Sequence, residues 1–141
     1  MDIKEKIKHF YEVVAPNGLV DEVSEYVSEN CTMRIGQEII PFGVEGMKQH
    51  IIDVRKTYPD FQMKIIRQYT DGNCVISELI AEGTHKGEWL GMKPTGKRLS
   101  FTGVDIDKIE NGKIVEHSGA VNTFETLFEN GIIQPNPNSI I

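Results

Sequence analysis

The sequence has little to offer a polyanion or a membrane. Its 141 residues carry 15 basic side chains against 21 acidic ones, a net charge of −6. The basic face that nonspecific nucleic-acid binding needs is missing. No apolar run reaches the ~18 residues of a membrane span. The opening Met1-Asp2-Ile3-Lys4-Glu5-Lys6 leads into charged amphipathic sequence instead of the apolar core of a signal peptide. The expectation is a soluble, cytoplasmic protein with no nucleic-acid or membrane partner. At this length it should form one domain. Cysteine is scarce as well: Cys31 and Cys74 lie far apart among apolar neighbours. They read as reduced thiols acting as small hydrophobes; one long-range disulfide is the alternative the spacing leaves open.

Motifs for metals, nucleotides and acyl-enzymes are missing too. His9, His50, His85 and His117 are scattered, with neither HxH nor HExxH spacing. No serine sits in a nucleophile elbow. The run from Gly91 to Arg98 follows phosphate-loop spacing until its last position, where Arg98 replaces the hydroxyl that would hold magnesium. It also leads into a strand instead of a helix. The sequence therefore predicts no metal and no cofactor.

What is present is a change of hydrophobic period. Residues 2–14 place Ile3, Ile7, Phe10, Tyr11 and Val14 on one stripe of an amphipathic helix. Pro16-Asn17-Gly18 ends it. A short helix over 19–27, a strand over 31–35 and a helix over 43–57 follow. After Pro59 the period becomes that of strands: 62–69, 73–84, 99–109 and 113–121, rich in Val, Ile, Thr and Phe. Asp71-Gly72 and Asn111-Gly112 signal hairpins because they tolerate positive φ. A helix over 123–130 should bury Phe124, Leu127 and Phe128 and stop at Gly131, and the tail 134–141 should be extended. Helices first and antiparallel strands after is an α+β pattern. The helices should cover a strongly bent sheet and leave a cavity suited to a small ligand.

The last hairpin locates candidate lining residues. A two-residue turn at Asn111-Gly112 pairs Phe101 with Asn122, Gly103 with Ala120, Asp105 with Ser118 and Asp107 with Glu116. Those eight would share the cavity face. Thr102, Val104, Ile106, Val115, His117 and Val121 would form an outer face whose apolar surface calls for a second copy of the chain. A bulge would flip one strand's parity. Asp105 stands out, because acids are rare in mid-strand and seldom buried unpaired. His85 closes the strand 73–84, and Tyr11 lies on the first helix's apolar stripe.

Four segments then carry a family likeness: Tyr58-Pro59-Asp60-Phe61, the run from Gly83 to Lys97, Phe101-Thr102-Gly103-Val104-Asp105, and the run from Asn111 to His117. Over about residues 5–133 the chain resembles the SnoaL-like polyketide cyclases. The resemblance implies the cone-shaped α+β barrel of the nuclear transport factor 2-like (cystatin-like) superfamily, dimeric through the outer sheet face. It implies ring closure by intramolecular aldol condensation without metal or organic cofactor. The aspartate that serves as acid/base on the family's last strand corresponds to Asn122, and the tryptophan four residues before it to Ser118. A neutral amide hydrogen-bonds but exchanges no proton near neutral pH. A more distant similarity to ketosteroid isomerases puts their oxyanion-binding pair at Tyr11 and Asp105, while their base falls near Arg34 or Ile35, neither of which is a carboxylate.

The expectation is thus a pocket protein for a small apolar carbonyl compound, acting as a cofactor-independent cyclase, isomerase or dehydratase. Tyr11 and Asp105 would stabilise an enolate and His85 would move the proton. Asn122, Ser118, Phe101, Glu116, Trp89 and Tyr58 are the candidate ligand contacts. A noncatalytic ligand-binding module and an interaction dimer without a pocket are the alternatives.

Overall fold

The structure is a computed structural model and describes residues 2–134. The amphipathic stripe at the N-terminus folds as helix α1 (Ile3–His9), capped by Asp2, whose carboxylate accepts from the Glu5 amide at 2.8 Å. It continues as a π-helical turn over Phe10–Val14, where the Ala15 amide reaches back five residues to the Phe10 carbonyl. Ile7, Phe10, Tyr11 and Val14 are all buried, as the spacing predicts. The expected second helix is a 3-10 segment, Val20–Glu25.

Strand β1 (Val27–Ile35) is longer than predicted and pairs with a strand the sequence did not reveal, β2 (Glu38–Pro41). Helix α2 (Gly43–Thr57) then crosses the sheet, burying Val44, Met47 and Ile51. β3 (Gln62–Asp71), β4 (Cys74–Thr84), β5 (Arg98–Glu110) and β6 (Lys113–Val121) follow, and α3 (Thr123–Glu129) ends the described secondary structure. The six strands run in the order β2-β1-β6-β5-β4-β3, antiparallel except for β1 beside β6. That parallel pair is made possible by the long crossover through α2 and the hairpins. Asn111 and Gly112 both have positive φ, 51° and 76°, as a primed two-residue turn demands.

Two expectations need correction. β6 carries a bulge: Ile109 faces Ile114, but Lys108 faces Glu116, so Val115 has no partner of its own. Every later residue of β6 is therefore shifted by one. His117 faces Asp107, Gly119 faces Asp105 and Val121 faces Gly103 on the cavity side, whereas Glu116, Ser118 and Ala120 align with Lys108, Ile106 and Val104 on the other. Secondly, Phe124 and Phe128 are 67% and 46% exposed. α3 turns Leu127 and Thr126 inward, Thr126 donating to the Ser100 carbonyl at 2.7 Å, and the two rings stack outside at 5.9 Å. Both cysteines are free thiols, as the sequence reading expects, Cys31 buried and Cys74 half-buried. The expected extended tail lies outside the described residues beyond Gln134. Among the described residues no helix is long and apolar enough to cross a membrane.

Candidate functional site

A cavity of about 490 Å³ lies between the concave sheet and the helices, a volume suited to a small organic molecule. Its walls differ from end to end. Along β5 the inward residues are Phe101, Gly103, Asp105 and Asp107. Strand rise separates Phe101 from Asp105 by ~13 Å.

At the Phe101 end, Tyr58, Trp89 and Phe101 pack edge to face with centroids 5.8–6.0 Å apart. Among the described residues the buried Tyr58 hydroxyl has no protein partner, and burial raises its pKa to about 12. It stays a phenol, with a hydrogen bond still to give. His85 lies behind this wall, its ring 6.0 Å from Tyr58 and 6.5 Å from Trp89. It is fully buried, with Nδ1 at 3.1 Å from the Thr95 hydroxyl, and it does not line the cavity.

The other end holds an acid–base cluster. The Asp107 carboxylate is completely buried. His117 Nδ1 donates to its Oδ1 and the Tyr11 hydroxyl to its Oδ2, each at 2.6 Å. A buried carboxylate so enclosed is compensated on both oxygens. Desolvation pulls the His117 pKa down, but the hydrogen bond and charge of Asp107, with the charge of Asp105, outweigh it, so the imidazole titrates above its ordinary value. Nδ1 is spent on Asp107, which leaves Nε2 for the cavity that His117 lines. Burial, with the nearby negative charge of Asp107, raises the Tyr11 phenol well above its usual pKa.

Asp105 sits one inward step along β5 from Asp107. Desolvation raises its pKa to about 6; the charge of His117 pulls against that shift and the charge of Asp107 adds to it. Its carboxyl occupies space that only glycine at 119 leaves open, since a Cβ there would lie 2.2 Å from Asp105 Oδ1 and 2.5 Å from the Val104 carbonyl. His50 faces the cavity from α2.

The structure thus brings Tyr11, Asp105, Phe101, Tyr58 and Trp89 around one cavity, and Ser118 borders it beside Gly119. Glu116 and Asn122 are not part of that wall. Asn122 caps α3 instead, its Oδ1 accepting from the Glu125 amide and its Nδ2 donating to the Glu125 carboxylate. The sequence reading missed His117, placed on the outer face, and the role of its partner Asp107. Only the bulge at Val115 unites them, and neither residue type nor spacing signals it.

Such a site on such a fold defines a class: small α+β proteins whose helices close a bent sheet over an apolar cavity with titratable groups at one end. The chain belongs to the SnoaL-like polyketide cyclase family, which it matches over residues 5–129. It is 30% identical over 105 residues to the nogalonic acid methyl ester cyclase of Streptomyces nogalater, covering 71% of this chain and 76% of that protein. Two solved structures share the fold at lower identity. A SnoaL-like polyketide cyclase of Agrobacterium tumefaciens superposes with a TM-score of 0.79 at 17% identity, over 94% of this chain and 99% of that one. Wild-type IdmH of Streptomyces antibioticus gives 0.78 at 20% identity, over 93% and 99%.

Proposed function

We propose that this protein is a cofactor-independent cyclase that closes a ring in a small apolar carbonyl compound by intramolecular aldol chemistry. The observation that carries the reading is the meeting of the Asp105 carboxyl and the His117 imidazole at one end of a largely apolar cavity. With a pKa of about 6, Asp105 is mostly ionised at neutral pH yet still basic enough to take a proton from carbon next to a carbonyl. His117, whose protonated form the hydrogen bond to Asp107 favours, donates a hydrogen bond from Nε2 to the enolate oxygen that results. Tyr11 acts through Asp107 as a positioning residue. The aromatic wall of Tyr58, Trp89 and Phe101 takes the substrate's flat apolar part, with the Tyr58 hydroxyl free to bond a polar substituent.

In this scheme the proton work of the family's last-strand aspartate, replaced here by Asn122, passes to Asp105 and His117. The proton step expected of His85 passes to the same pair, and His85 braces Tyr58 and Trp89. The reading includes a homodimer through the outer sheet face, where Val104 and Ile106 are each 41% exposed beside the half-exposed Tyr69.

Nogalonic acid methyl ester, the compound named for the Streptomyces relative, is a suitable first substrate. Ring closure followed by chromatography and mass spectrometry should be catalysed by the wild type. His117→Ala and Asp105→Asn should each lose ~10²-fold or more. Tight binding with no closure by any of the three proteins would sink the cyclase reading in favour of a ligand-binding module.

A further inference from the structure

An aldol closure develops negative charge on two oxygens. The first belongs to the enolate, and the Asp105–His117 cluster on the sheet serves it. The second belongs to the acceptor carbonyl, which becomes an alkoxide as the carbon–carbon bond forms and then needs a proton. With the enolisable carbon over Asp105, the acceptor carbonyl approaches from the opposite side, which α2 covers. α2 turns two titratable groups to the cavity, Asp53 and His50, the latter one turn after Met47 and one before Val54, both of which also line it.

His50 is built differently from His117. Its ring stands edge-on to Phe42, with centroids 6.4 Å apart, and among the described residues it has no hydrogen-bond partner. Asp53, one turn further along, is already engaged, its Oδ1 accepting from Gln49 Nε2 at 2.8 Å. No carboxylate therefore fixes the tautomer of His50, and both ring nitrogens remain usable. The residue is also exposed to water.

We infer that His50 is a third catalytic residue, the proton donor to the alkoxide of the acceptor carbonyl, working across the cavity from Asp105 and His117. The inference rests on the cyclase reading and deepens it. Asp105 takes the proton from the enolisable carbon, whose electron pair forms the new carbon–carbon bond. The π pair of the acceptor carbonyl moves to its oxygen. One nitrogen of His50 gives that oxygen its proton while the other accepts one from water, and Asp105 later returns its own proton to solvent. No oxidant or reductant is needed. Desolvation, with the charge of His117 across from it, lowers the His50 pKa against the opposing charge of Asp53. The ring is accordingly neutral at pH 7, as a tautomeric relay requires.

Two readouts on one probe test the assignment. Nogalonic acid methyl ester is incubated in deuterium oxide, with ring closure and deuterium uptake into recovered starting material measured together. His50→Ala should slow closure ~10²-fold while leaving uptake within about threefold, whereas Asp105→Asn should lose both. His50→Gln, which donates a hydrogen bond but cannot relay, should be as slow as the alanine variant, and it carries the test if alanine lowers the melting temperature. Wild-type closure by His50→Gln would overturn the inference, reducing His50 to an orienting group. So would closure at the wild-type rate in His50→Ala, or parallel loss of closure and uptake. Wild type that takes up deuterium without closing would refute the role of His50 but not the enolising pair. Wild type that does neither would refute the cyclase reading and this inference with it.

Discussion

Replacing Asp105 by asparagine should make the protein more stable and less active. The carboxyl is kept where water cannot solvate its charge, so its pKa lies at about 6 instead of 3.8. That difference of about two units corresponds to about 3 kcal/mol at most, spent on holding an ionised carboxylate in the cavity. The attraction of His117 is already contained in it, since that charge lowers the value. A raised carboxyl favours the folded state while protonated. Its contribution is complete below the unfolded pKa near 3.8 and is lost as pH rises through about 6. Asparagine has the same shape and cannot ionise, so the variant escapes that loss. Thermal melts at pH 8 should put Asp105→Asn above wild type by up to roughly 8 °C for a chain of this size. At pH 4 the two should nearly coincide. A variant that melts below wild type at pH 8, or gains as much at pH 4, would show that Asp105 is not a desolvated carboxylate. The proposed base role would then lose its physical footing. The same substitution should abolish most ring closure, which makes Asp105 a site where stability is given up for chemistry.

Other perturbations separate the parts of the site. Gly119→Ala puts a methyl group 2.2 Å from Asp105 Oδ1; it should push the carboxyl aside and cut closure at least tenfold, and an alanine variant of undiminished activity would contradict the packing. Tyr11→Phe removes a donor to the buried Asp107 carboxylate, at a cost of about 1.5–3 kcal/mol in denaturant unfolding at pH 7. It should also shift the alkaline limb of the pH–rate profile, because His117 loses part of its anchor. Val104→Lys and Ile106→Lys should each weaken a dimer built on the outer sheet face, and sedimentation velocity at micromolar concentration should then show monomer where the wild type shows dimer. A wild type that sediments as a monomer would refute that interface.

Several elements could be read from the sequence because the forces that make them are local. The apolar spacing of Val44, Met47 and Ile51 outlines α2, and Gly43–Thr57 is where the helix lies. β4, β5 and β6 fall within a residue or two of the expected spans for the same reason. The Asn111-Gly112 turn follows from two residues that accept positive φ. β2, whose four residues are all exposed, left no burial pattern to find. The half of the site on one strand, Asp105 and Phe101, could be placed from alternation alone. So could Tyr11, from the helical stripe, although its link to Asp107 spans 96 residues. The half on β6 could not. Alternation has no memory of where a strand begins to pair, and one unpaired residue at Val115 exchanges the faces of all that follow without altering composition or hydrophobicity. In the folded sheet β6 must satisfy β5 on one side and the parallel β1 on the other, and the bulge lies between those two sets of hydrogen bonds. Sequence thus determined that there would be a bent sheet, a helical cover and an acid in mid-strand. Tertiary pairing alone decided that the acid's neighbours would be His117 and Gly119 in place of Glu116 and Ser118.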